Sequence, residues 1–127
     1  MTAKVLLLQL NVAMDDTAVY LNHGLASLAG TLRAAGFIPE IMVLDSGSFH
    51  SGKWLKRVAD GYILAGISVY SNQWEFAVAA ARALRGCAIP VVGGGPHCSL
   101  FPEALADTDA FDGFVVGEGE EIGRAHV

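Results

Sequence analysis

A chain of 127 residues that is 53% hydrophobic and 17% charged is long enough to bury one core and too apolar to be disordered. Its 8 basic and 13 acidic residues leave a net charge of -5 without a Lys/Arg stripe, which argues against nucleic acid as a partner. Two cysteines, Cys87 and Cys98, make neither a disulfide framework nor a metal-ligand pair, so a reduced, cytoplasmic setting is expected, with no apolar run long enough to cross a membrane.

Lys4 to Leu10 is a continuous apolar run, the pattern of a strand buried on both faces. A signal peptide is excluded because Gln9 and Asn11 interrupt the run and Asp15-Asp16 follow it without a small-residue cleavage site. After a polar loop from Asn11 to Tyr20, the spacing of Leu21, Leu25, Leu28 and Leu32 predicts one face of a helix, with Gly36 as its stop. Phe37 to Leu44 repeats the strand pattern, with Pro39 near its start and Asp45-Ser46-Gly47-Ser48 closing it as a turn. A short helix is expected around Lys53 to Ala59 and a third strand over Gly61 to Tyr70.

Asn72 is placed to cap the next helix, with Phe76, Ala77, Ala80, Ala81 and Leu84 on its inner face and Gly86 ending it. A fourth strand over Ala88 to Val92, a short helix over Pro102 to Ala106 and a fifth strand over Phe111 to Val116 complete the pattern. Strands alternating with helices and no hairpin signal imply an α/β fold. The expected form is a flavodoxin- or Rossmann-like, doubly wound, five-stranded parallel sheet in three layers.

Two of these strands run into glycine-rich turns, Gly93-Gly94-Gly95-Pro96-His97 and Gly117-Glu118-Gly119-Glu120. Three glycines together would weaken a strand interior, so they are read as the strand's end, where a ligand approaches the backbone. In a parallel sheet both turns border one crevice. The usual occupants of that crevice are excluded in turn. Leu10 to Asp16 has no G-x-G-x-x-G, no Gly-Lys-Ser/Thr loop occurs, and Ser68 to Ser71 replaces the aspartate a phosphorelay receiver needs after its third strand.

His23-Gly-Leu-Ala-Ser-Leu-Ala29, the strand end Gly66-Ile-Ser-Val-Tyr-Ser71, Val91-Val-Gly-Gly-Gly-Pro-His97 and Val115-Val-Gly-Glu-Gly-Glu120 together resemble the N-terminal cobalamin-binding domain of cobalamin-dependent radical S-adenosylmethionine enzymes. The resemblance covers nearly all of residues 1–121 and implies cobalamin bound at the sheet's carboxyl edge, with Ser68, Tyr70, Ser71, Gly93, Gly94, Gly95, His97, Gly117 and Glu118 as cofactor-binding residues. It also implies a further domain with a cysteine triad, an iron-sulfur cluster and S-adenosylmethionine, and most often methyl transfer. A broad corrin with a nucleotide tail needs a shelf and a narrow slot, which Gly66, Ser68 and Gly93 to Gly95 can line.

Families that ligate cobalt through histidine carry Asp-x-His-x-x-Gly, which is absent around His23; no histidine ligand is therefore expected. Several residues keep a second reading. Ser68 and Ser71 can bind the cofactor or cap the following helix. His97 can touch the cofactor, meet the further domain or sit in solvent, and Glu118 and Glu120 can be acid-base or structural groups. Trp54 and Trp74 can pack on the corrin or in the core. The whole domain can also be a degenerate form that serves only as a scaffold, and no complete set of catalytic groups supports a stand-alone enzyme. Finally, Ile122-Gly-Arg-Ala-His-Val127 resembles the translation of a DNA-sequencing adapter and is expected to be non-native, the alternative being an ordinary helix start.

Overall fold

The computed structural model describes residues 3–12, 23–58, 61–69, 73–94 and 109–114. In chain order the elements are β1 (Lys4–Asn11), α1 (His23–Ala34), β2 (Ile38–Asp45), α2 (Ser46–Ser51), α3 (Trp54–Val58), β3 (Tyr62–Ser68), α4 (Trp74–Gly86), β4 (Val91–Gly94) and β5 (Gly113–Phe114). The strands form one sheet in the order β2-β1-β3-β4-β5, and every pairing is parallel. This is the flavodoxin-like arrangement the strand-helix alternation implies. The order reverses between β1 and β3, so the carboxyl ends of those two strands form the topological switch point.

Alternation along the strands divides the core in two. Leu6, Leu8, Leu10 and Val12 pack with Ala65, Ile67, Val69 and Val91 against Trp54 and Val58 of α3 and Ala77, Ala80, Ala81 and Leu84 of α4. The alanines, at most 1% exposed, bring α4 close to the sheet. On the opposite face, Val5 and Leu7 meet Leu25 and Ala29 of α1. Pro39 lies on the edge strand β2, where its missing N–H costs least.

Two local expectations, the turn after β2 and the start of β4, are corrected, and the ends of α4 are specified. Asp45 to Ser48 does not form a turn: the Asp45 carboxylate accepts from the Ser48 amide at 2.8 Å and caps α2. α4 begins after Gln73, whose side chain makes no cap bond, and Asn72 lies outside the described residues. α4 ends at Gly86 as expected, but the left-handed residue beyond it is Ala88, at φ 63°. There Ala88 N–H donates to Arg85 C=O and Ile89 N–H to Leu84 C=O, the pattern Gly36 and Phe37 make with Arg33 and Leu32 at the end of α1. β4 starts later than expected and runs through Gly93 and Gly94, because Asp112 holds Val91 at its start: Val91 N–H donates to the Asp112 carboxylate at 2.7 Å and Asp112 N–H to Val91 C=O at 2.8 Å. Of the fifth strand, Gly113–Phe114 is described; Val115, Val116 and the helix expected over 102–106 lie outside the described residues.

At the amino end of the sheet, the Tyr62 hydroxyl donates to Glu40 Oε2 at 2.6 Å, and Lys4 Nζ lies 3.3 Å from the same oxygen and 4.6 Å above the Tyr62 ring. The Tyr62 hydrogen bond, with help from Lys4, holds the Glu40 carboxyl below 4.5. Desolvation, then Glu40, pushes the Tyr62 phenol up to about 12.

Two outcomes follow for stability. Ala88→Gly removes a Cβ from a left-handed residue and raises the unfolding free energy by about 1 kcal/mol in denaturant titration; an unchanged or lower value would contradict the Schellman geometry. Because Glu40 is lowered, its contribution is present above the unfolded carboxyl value and is lost as pH falls through the folded one; because Tyr62 is raised, its contribution is present below about pH 10 and is lost towards 12. Urea unfolding of Tyr62→Phe across pH should therefore lose the alkaline decline and show a weaker acid one.

Candidate functional site: the carboxyl edge at the β1–β3 switch point

β1 lies inside the sheet between β2 and β3 and is buried on both faces, so its backbone groups need partners to its end. β2 pairs with it through Asn11, while β3 pairs only as far as Gln9 opposite Ser68. The next residue, Val12, is 1% exposed. Its N–H donates to Gln73 Oε1 at 2.9 Å, and its C=O accepts from Gln73 Nε2 at 2.7 Å. One buried amide side chain thus stands in for a ladder neighbour and ties the end of β1 to the start of α4. Only a side chain with a donor and an acceptor at this reach meets both demands.

Beside this clamp, the register brings three residues from three strands into one row. Gln9 pairs with Ser68 and Ser68 with Gly94, while one layer deeper Leu7 pairs with Gly66 and Gly66 with Val92. By strand alternation both layers face the α1 side of the sheet, the side on which Leu7 meets α1. Gln9 and Ser68 are 1% and 6% exposed, and Gln9 Nε2 donates to Asn11 Oδ1 at 3.3 Å. Val69 N–H donates to Gly94 C=O at 2.6 Å and keeps β3 and β4 together at their ends.

The glycines of this edge do different work. A Cβ on Gly93 would lie 3.0 Å from Phe111 and Phe114, on the α4 side. Phe111 there stacks on Trp74 with centroids 5.9 Å apart and packs on Phe114 at 4.8 Å. Gly93 therefore makes room for an aromatic group of the chain itself. Gly66 is looser, its added Cβ meeting, among the described residues, Leu7 Cδ2 at 3.4 Å, and it faces the α1 side with Gly94.

Of the residues singled out from the sequence, Ser68 and Gly94 come together here and Gly93 turns to the other face. Tyr70, Ser71, Gly95, His97, Gly117 and Glu118 lie outside the described residues, as do Asp15, Asp16 and Glu120. His23 opens α1. Trp54 is a core residue, 5% exposed, whose Nε1–H donates to Phe49 C=O at 3.4 Å. Gln9 and Gln73 were missed. Gln9 carried a signal, a polar amide inside an apolar strand, but Gln73 meets Val12 across 61 residues of sequence and carried none.

The groups gathered here are neutral amides and a hydroxyl, suited to holding a ligand by hydrogen bonds. Among the described residues no group of three or more His, Cys, Asp or Glu is placed to hold a metal ion. At the neighbouring strand end, the Asp45 carboxyl is kept below 3.8 by the Ser48 amide that it caps.

No family model and no curated protein matches the chain. Two solved structures of the radical S-adenosylmethionine methyltransferase TsrM from Kitasatospora setae do. One, with tryptophan substrate and an S-adenosylmethionine analogue bound, matches at TM-score 0.76 and 23% identity over 95% of this chain and 24% of that one. The other, with cobalamin and a [4Fe-4S] cluster bound, matches at TM-score 0.65 and 23% identity over 84% of this chain and 22% of that one. The likeness is one of fold, and the chain spans about a quarter of the length of the structures it matches.

The two glycines separate on substitution. Gly93→Ala should lose about 1–3 kcal/mol of stability by overpacking Phe111 and Phe114, whereas Gly66→Ala should stay within about 1 kcal/mol of the parent. Equal losses in thermal melts of the two variants would refute the division of the edge into two faces.

Proposed function

We propose that this chain is the cobalamin-binding module of a larger radical S-adenosylmethionine enzyme, with cobalamin seated at the switch point and no histidine of the chain on cobalt. The observation that carries this reading is the row Gln9–Ser68–Gly94 above Leu7–Gly66–Val92, in register and on one face of the sheet. Small residues leave room beside the backbone there, while Ser68 and Gln9 supply a hydroxyl and an amide, a donor set that fits the neutral amides and nucleotide tail of cobalamin. In this reading Gly66 and Gly94 line the slot for the tail and Ser68 bonds within it. Tyr70, Ser71, Gly95, His97, Gly117 and Glu118 complete the shelf, while Gly93 supports the shelf by seating Phe111 and Phe114. The likeness in fold to a cobalamin-bound methyltransferase supports the same reading.

Bound in this way, cobalamin supplies a cobalt centre that can carry a methyl group. The chain's residues hold and orient it; the chemistry on S-adenosylmethionine and the iron-sulfur cluster belongs to a further domain. The module is then residues 1–121, with 122–127 as a non-native tail, and the parent is a methyltransferase or a related cyclase. A second reading, a degenerate domain that acts only as a scaffold, fits the missing Asp-x-His-x-x-Gly around His23 equally well, but gives no reason for the small residues along the edge.

Anaerobic incubation with hydroxocobalamin or methylcobalamin, desalting and an absorbance spectrum separate the two. The module should retain cobalamin with its nucleotide base displaced from cobalt, and Gly94→Leu, which fills the slot, should retain none. Retention by neither protein would favour the scaffold, whereas equal retention by both would keep cobalamin binding and overturn the slot at Gly94.

A further inference from the structure

Gln73 does more than close a hydrogen-bond deficit. Its two bonds to Val12 join the last described residue before the β1–α1 connection to the residue that immediately precedes α4. These points flank the switch point, one on each side of the break where β1 outruns β3. The Gln73 side chain is 2% exposed, so the clamp lies beneath the edge, where it sets the separation of the two anchors without lying on the surface a ligand would cover.

We propose that Gln73 is a positioning residue for ligand binding at this edge: by fixing the end of β1 against the start of α4 it holds the crevice at the width its ligand needs. The proposal rests on the cobalamin reading above and assigns Gln73 no contact with the cofactor. Both bonds have to be made for the clamp to hold. Methionine fills the space and makes neither bond; asparagine keeps both groups one methylene short. Affinity should therefore fall when the bonds are lost, independently of how far global stability falls.

The test uses the full chain and hydroxocobalamin as the probe, with Kd measured well below each variant's melting temperature. Gln73→Met should raise Kd at least ten-fold. Ile89→Ala is the control: Ile89 is buried before the start of β4, at the opposite end of the sheet, so it lowers the melting temperature and should leave Kd within two-fold of the parent. Should Gln73→Met not fold, Gln73→Asn takes its place under the same criterion. A parent chain that binds no cobalamin overturns the cobalamin reading and this proposal together. Binding by the parent with an unchanged Kd in the Gln73 variants, or an equal loss in Ile89→Ala, overturns the positioning role alone and leaves the reading of the site intact.

Discussion

The interior strand β1 is buried on both faces, and the last backbone groups at its end still need hydrogen-bond partners. Leaving a buried N–H or C=O unpaired costs about 1–3 kcal/mol, a large share of a small domain's stability. Where β3 leaves the ladder after Ser68, Val12 would be left with two such groups, and Gln73 satisfies both. That one side chain ties the end of β1 to the start of α4, beside the carboxyl ends of β1 and β3. Trp74, next in sequence, then stacks on Phe111 and links the same point to the far edge of the sheet.

The second organising feature is the two-residue period of a strand. Gly93 and Gly94 are adjacent and chemically identical, yet one opens towards the helices of the larger core and the other towards the α1 side. On the larger side the space is filled by Phe111 and Phe114, which a Cβ on Gly93 would overlap. On the other side, Gly94 continues a row that begins with Gln9 and Ser68. Neighbouring glycines thus face opposite sides of the sheet, Gly93 towards Phe111 and Phe114 and Gly94 towards the face that carries Gln9 and Ser68.

The fold was legible because its signals are local. The apolar run of β1, the leucine spacing of α1 and the alanine face of α4 each lie within one element, and right-handed crossovers leave few ways to assemble parallel strands from them. Boundaries were less legible for the same reason. Asp45 reads as a turn residue until its carboxylate is seen to cap α2, and Gly86 reads as a helix stop although Ala88 takes the left-handed position. β4 begins where Asp112, from beyond the next connection, bonds to Val91. In each instance a particular hydrogen bond overrode a residue's average preference.

For the site, the sequence by itself determined that small and polar residues gather at strand ends, at Ser68, Gly93 and Gly94, because composition and strand period are properties of short segments. Only the tertiary structure decided which of them share a face, since a register between strands distant in sequence sets Gln9 beside Ser68 and Ser68 beside Gly94. It likewise decided that Gln73 clamps Val12 across 61 residues. The physical reason is that hydrogen bonds and packing act over a few ångströms of space, and the chain brings such neighbours together only by folding.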